Sequence, residues 1–165
     1  MPLTDWQFIK RIDEMIESFF KNLSQEEFIS RFSANEKCLD FLSKKKWKDG
    51  FVCRKCGHTN FCKGKTPFSR RCTKCKHEES ASSHTVFHQC KIPIHEAFAI
   101  AYMVCVSPEI STYEISRVLN IRQMTCWNFK RKIITCIESR NDLTHFEKNG
   151  IIKDISGTYE KNTKV

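Results

Sequence analysis

Two short cysteine pairs constrain this chain more than any other feature: Cys53-Arg54-Lys55-Cys56 and Cys72-Thr73-Lys74-Cys75, with fifteen residues between them. Two residues between cysteines let both sulfurs of a tight knuckle face one point. Two such knuckles supply the four ligands of a tetrahedral site, and the spacing falls at the edge of the range read as zinc-binding. Gly57 follows the first pair, where a knuckle calls for a left-handed residue, and Lys76 holds the matching place after the second. A closed set of four thiolates favours zinc over iron–sulfur. It also leaves no open coordination position, so one Zn2+ is expected on Cys53, Cys56, Cys72 and Cys75 as a structural ion. Two thioredoxin-like redox pairs would need a βαβ context, which the sequence does not offer.

The surroundings of the pairs fit a small metal-stapled unit. Between residues 51 and 83 helical periodicity stops, and three short strands are expected at 61–63, 68–71 and 78–83. That segment is too small to bury an adequate core alone, so a metal staple is expected. The remaining cysteines, Cys38, Cys62, Cys90, Cys105, Cys126 and Cys136, are scattered, and most read as small buried hydrophobes. Ten cysteines in 165 residues, with no signal-peptide pattern at the N-terminus, point to metal chemistry in a reducing cytoplasm rather than to disulfides. No apolar run is long enough to span a membrane.

Outside the ribbon the pattern is helical. Residues 5–23 carry an apolar stripe of Phe8, Ile12, Met15, Ile16, Phe19 and Leu23, opened by a Thr4–Gln7 capping box. Ser24–Glu27 and Ser33–Glu36 read as two further boxes. The first opens a short helix with Phe28, Ile29 and Phe32. The second opens one with Cys38, Leu39, Phe41 and Leu42 inward. A helix over 93–106 starts at Pro93, presents Ala97, Phe98, Ala101, Tyr102 and Cys105, and stops at Ser107-Pro108. The fold expected is mainly α with a small β zinc ribbon: an N-terminal helical segment (1–34), the ribbon with its leading helix (35–92), a helix-turn-helix (93–140) and a flexible tail (141–165).

The helix-turn-helix expectation rests on residues 112–131. Ser111 and Glu114 form a fourth box, and Ile115, Leu119 and Ile121 are apolar around the turn. Ser116 is small where two helices must approach, and Asn120 sits where the turn needs a left-handed residue. Such a unit lays its second helix in the major groove of DNA. Its outward residues would be Arg122, Gln123, Met124, Trp127, Asn128 and Arg131, with Gln123 and Asn128 suited to adenine, and Lys130 and Lys132 to phosphate. The same pattern also fits an ordinary helical hairpin with a solvated basic face, and Trp127 also fits packing against the helix at 93–106. Charge supports a polyanionic partner. The chain carries 28 Lys+Arg against 19 Asp+Glu, and between Lys44 and Lys76 twelve basic residues face Asp49 alone. Lys63, Lys65, Arg70 and Arg71 are the ribbon's candidate DNA contacts.

Together, Cys38-Leu39-Asp40-Phe41-Leu42, Trp47-Lys48-Asp49-Gly50, Cys53-Arg54-Lys55-Cys56-Gly57 and Arg70-Arg71-Cys72-Thr73-Lys74-Cys75 resemble the transposase zinc-ribbon domain. That domain begins a group of bacterial insertion-sequence transposases. Thr85-Val86-Phe87, Lys91-Ile92-Pro93-Ile94 and Thr125-Cys126-Trp127 extend the resemblance over roughly 35–139. It implies binding of terminal inverted repeats by ribbon and helix-turn-helix, with strand transfer left to a separate ribonuclease-H-like domain holding two metal ions. Here only Asp154, in Gly150-Ile151-Ile152-Lys153-Asp154, resembles a first acidic position of that domain, and two-metal chemistry needs several carboxylates. The resemblance therefore implies DNA binding without transposition. The expected protein is non-enzymatic, cytoplasmic and nucleoid-associated. Its expected partners are double-stranded DNA and an intact transposase or a second copy of the chain. The competing expectation is a zinc-stapled protein-interaction module or a non-catalytic subunit of a nucleic-acid-processing complex.

Overall fold

The computed structural model of the protein describes residues 16–141, with side chains through Glu138. The Thr4–Gln7 box, the start of the first helix, Asp154 and the tail lie outside the described residues. Within them the chain is helical on either side of a small sheet. The first helix, α1, is described over 16–21. There follow α2 (Gln25–Arg31), α3 (Asn35–Lys46), β1 (Phe61–Lys63), β2 (Arg70–Cys72), β3 (Glu78–Glu79), α4 (Ile94–Val106), α5 (Thr112–Leu119) and α6 (Gln123–Asn141). The strands form an antiparallel sheet in the order β1-β2-β3.

Local chemistry sets most boundaries. Ser24 caps α2 with a complete box, its hydroxyl accepting from the Glu27 N–H while the Glu27 carboxylate accepts from Ser24. The Ser33–Glu36 box does not form. Ala34, which has no side-chain acceptor, takes the cap position of α3, and Ser33, one residue outside it, accepts from Lys37 Nζ at 3.0 Å. Pro93 sits one position earlier than expected, as the cap itself. The second strand starts at Arg70 rather than 68, since Phe68 has φ +58°, outside any strand conformation. The third ends at Glu79, where the loop from Ser80 turns to meet α3.

One apolar core runs through the helices and the ribbon. Aromatic rings dominate its helical part. Phe20 meets Phe28, Phe32, Phe98 and Tyr102 edge to face, Phe28 stacks on Tyr102 at 4.3 Å, and Phe87 stacks on Phe98 at 4.5 Å. Each such side chain contributes roughly 2–3 kcal/mol on burial. Phe20, which the expected stripe leaves out although it follows Ile16 by four residues and Ile12 by eight, is fully buried, whereas Ile29 is exposed. The helix α4 is central. Ile100 and Val104 are buried besides Ala97, Phe98, Ala101 and Cys105, and α3, α5 and α6 all pack on it. Two polar links join distant segments: Tyr102 Oη donates to the Leu23 carbonyl at 3.0 Å, and Asn35 Oδ1 accepts from the His95 N–H at 3.1 Å.

Candidate metal centre and nucleic-acid surface

The two cysteine pairs form matching knuckles. In the first, the Cys53 N–H donates to the His58 carbonyl (2.9 Å) and the Gly57 N–H to the Cys53 carbonyl (2.7 Å). In the second, the Cys72 N–H donates to the His77 carbonyl (2.9 Å) and the Lys76 N–H to the Cys72 carbonyl (3.1 Å). Both turns need a left-handed residue. Gly57 supplies it at φ +72°, and Lys76 adopts it at φ +62° despite its side chain. His58 and His77 thus serve the knuckles through their carbonyls.

These turns bring the four sulfurs together. Cys53 Sγ lies 3.4 Å from Cys75 Sγ, Cys56 Sγ lies 3.6 Å from Cys72 Sγ, and all four sulfurs fall within 4.8 Å of one another. A tetrahedral zinc with Zn–S bonds of about 2.3 Å spaces its sulfurs by about 3.8 Å, so the donor set fits one structural zinc. Cys53 and Cys72 are buried, while Cys56 and Cys75 lie nearer solvent. Desolvation pushes the Cys72 thiol up. Bonds from the Cys75 and Lys74 backbone and from Cys56 and Cys75 outweigh it and bring the pKa down to about 6, poised toward the thiolate that a metal takes. The other cysteines behave differently. Cys38, Cys105 and Cys126 are buried, and burial pushes Cys38 up to about 12. Cys62 is exposed on β1.

A buried ion cluster holds the ribbon to α3, and sequence reasoning missed it. Lys46 ends α3 inside the run Lys44-Lys45-Lys46, which reads as a solvated face. Its Nζ is instead buried, 2.7 Å from Glu79 Oε1, and donates to the Ser80 carbonyl (2.7 Å) and to the Ser83 carbonyl and hydroxyl (both 2.8 Å). Arg54 Nε reaches the same carboxylate oxygen at 3.1 Å. Desolvation lowers Lys46 to about 8 despite the Glu79 charge. On the other face of the sheet Glu78 accepts from Ser69 Oγ (2.8 Å) and from the Lys65 N–H (2.8 Å), and these bonds lower its pKa.

The candidate nucleic-acid residues fall into two groups. On the ribbon, Lys63 and Lys65 are exposed. Arg71 Nε donates to the Lys76 carbonyl at 3.3 Å. Arg70 lies over Trp47 (4.5 Å to the ring centroid) and Phe61 (4.0 Å), and partial burial lowers its pKa. At the other end, α5 and α6 meet through a tight turn. Ser111 Oγ caps α5 by accepting from the Glu114 N–H, and Asn120 is left-handed at φ +53°, ψ +40°. Ser116 Oγ donates to the Ile121 carbonyl at 2.6 Å. Ile115, Cys126, Phe129 and Ile133 are buried, while Arg122, Gln123, Met124 and Asn128 are exposed and Trp127 and Arg131 half-buried, with Arg131 over the Trp127 ring at 5.5 Å. Lys130 and Lys132 lean on the protein: Lys130 Nζ donates to the Ile110 carbonyl (2.5 Å) and Lys132 Nζ to the His88 carbonyl (2.9 Å).

No curated protein and no solved structure matches the chain. A family model does match, over residues 33–78, which span α3, both knuckles and the start of β3; the resemblance read from the sequence ran on to 139, beyond this match. By that match, residues 33–78 are similar to the transposase zinc-ribbon domain.

Proposed function

We propose that the protein is a sequence-specific double-stranded DNA-binding protein, stapled by one structural zinc and related to a transposase's DNA-binding region. It would recognise sites like inverted repeats without catalysing transposition. The observation that carries this reading is the α5–α6 pair. Its turn is set by Asn120 and Ser116, and its second helix presents Arg122, Gln123, Met124 and Asn128 to solvent. That is the form of a helix-turn-helix whose second helix enters the major groove. The first turn of α6 carries no acidic residue, so its positive end is left for phosphate. The similarity of residues 33–78 to a transposase ribbon and the basic run from Lys44 to Lys76 support the same partner.

In this reading Gln123 and Asn128 read base edges, and the ribbon's cations fix register on the backbone. The protein acts as a regulator, or as a competitor of an intact transposase at its ends, in the cytoplasm and on the nucleoid. A second reading, a protein-interaction module, draws on Tyr113 and Val118, which are exposed on α5. A salt series on duplex DNA separates the two. Phosphate contacts make affinity fall steeply with salt. No retention on duplex DNA at low salt would sink the DNA reading. Selection of bound sequences from a random duplex pool then identifies the site, and Gln123→Ala or Asn128→Ala should flatten the preference at one position each.

A further inference from the structure

We propose that Arg70, held over the Trp47 and Phe61 rings at the β1–β2 edge with Lys63 opposite it, is a preformed fork for a backbone phosphate of bound duplex DNA. This rests on the DNA reading above and assigns the ribbon's part in it to one residue.

Four observations converge on Arg70. The first is its support. The guanidinium carbon lies 4.5 Å from the Trp47 centroid and 4.0 Å from that of Phe61, so two rings hold the cation in place. The second is that its donors are unengaged. Among the described residues no hydrogen bond or ion pair joins Arg70 to an acceptor, and no buried nitrogen lacks a partner, so those donors reach solvent. The third is the local charge balance. Glu79 stands opposite Arg70 in the β2–β3 register, but its Oε1 already meets Lys46 at 2.7 Å and Arg54 at 3.1 Å. On the other side Lys63 stands opposite Arg70 in the β1–β2 register. Like charges facing across strands destabilise a sheet, and an anion between them removes that cost. The fourth is the contrast with the next residue. Arg71 carries the same charge, yet it occupies the opposite face and its Nε is bonded to the Lys76 carbonyl.

A planar fork held in place with free donors suits a phosphate's paired oxygens, and a lysine cannot reproduce it. The site is independent of base sequence, so a mixed-sequence duplex is a sufficient probe. Affinity is measured by fluorescence anisotropy across a salt series, with a melting curve for each variant. Arg70→Gln should weaken binding by about tenfold or more and reduce the salt slope by about one. Arg70→Lys should keep the slope but not the affinity. Phe61→Leu, which alters no charge, should weaken binding by releasing the guanidinium. Arg71→Lys should lose less affinity than Arg70→Lys. The proposal is overturned if both Arg70 variants bind normally and only melt earlier, since Arg70 would then be a staple between rings. It is also overturned if Arg71 variants lose as much as Arg70 variants, since diffuse charge would then suffice. If the unaltered protein binds no duplex, the DNA reading fails and the fork with it; if it binds and only the Arg70 series is flat, the fork alone fails.

Discussion

Single residues decide whether the two knuckles close. Gly57 and Lys76 hold equivalent left-handed positions, one without strain and one with it. Gly57→Ala should therefore lower stability by about 1 kcal/mol, while Lys76→Gly should be near neutral because relief of strain offsets the freer unfolded chain. Paired thermal melts of zinc-loaded protein check this asymmetry; equal losses would show that the knuckles are not equivalent. Gly64 has a tighter constraint, since a Cβ there would collide with Ser69 Oγ and come within 2.6 Å of Glu78 Oε1. Glu78 also has a pH signature. Its folded pKa is lowered, so the stability it contributes is present above its ordinary value near 4.5 and is lost as pH falls through the folded value. Glu78→Gln should flatten that part of the acid limb in a pH-dependent melt. At this scale the metal ligands were legible in full, because two residues between thiols admit few geometries. The bond from Ser69 to Glu78 was not, because it depends on a loop brought back by the sheet register.

Elements were legible where a side chain acts on its own backbone and obscure where a distant segment intervenes. Ser24, Ser111 and Asn120 each act within four residues: Ser24 and Asn120 take their expected roles, and Ser111 caps α5 without the return bond from Glu114 that a full box needs. The Ser33 box does not form, since the helix is capped one residue later, at Ala34, and Ser33 Oγ accepts from Lys37 Nζ. Lys46 shows the larger limit. Its spacing on α3 matches its charged neighbours, and only the loop at Ser80–Ser83 turns it into a buried anchor. Lys46→Met would leave Glu79 and three serine oxygens short of their cation. A loss of roughly 2–4 kcal/mol is expected, measured by denaturant unfolding, against little effect for Lys44→Met on the exposed side. The titration of Lys46 has a definite sign. The folded value is about 8 against 10.5 for an unburied lysine, so between these values the unfolded chain binds the extra proton. Stability from this group therefore rises with pH across that window, and the slope should be absent in Lys46→Met.

For the whole molecule, zinc and the aromatic helices share one core, since Cys53 and Cys72 are buried with Phe51, Ala81 and Phe87. Chelation should thus lower the melting temperature of the entire chain and leave much of the helical circular dichroism, and elemental analysis should find about one zinc per chain. Soluble, folded protein without metal would contradict this. The shared core was hidden from the sequence because its partners are far apart: Phe20 with Phe98, Leu23 with Tyr102, Asn35 with His95. Lys132 and Phe129 of α6 hold the loop after β3, through the His88 carbonyl and Phe87, and Lys46 clasps that loop's beginning to α3. In the DNA reading this makes the molecule a ruler of fixed length. The reading helix and the ribbon cannot slide relative to each other, so their two footprints must keep one rotational phase along the duplex. Inserting half a helical turn, about five base pairs, between the footprints should abolish joint binding, whereas a full turn of about ten should restore part of it by bending the DNA rather than the protein.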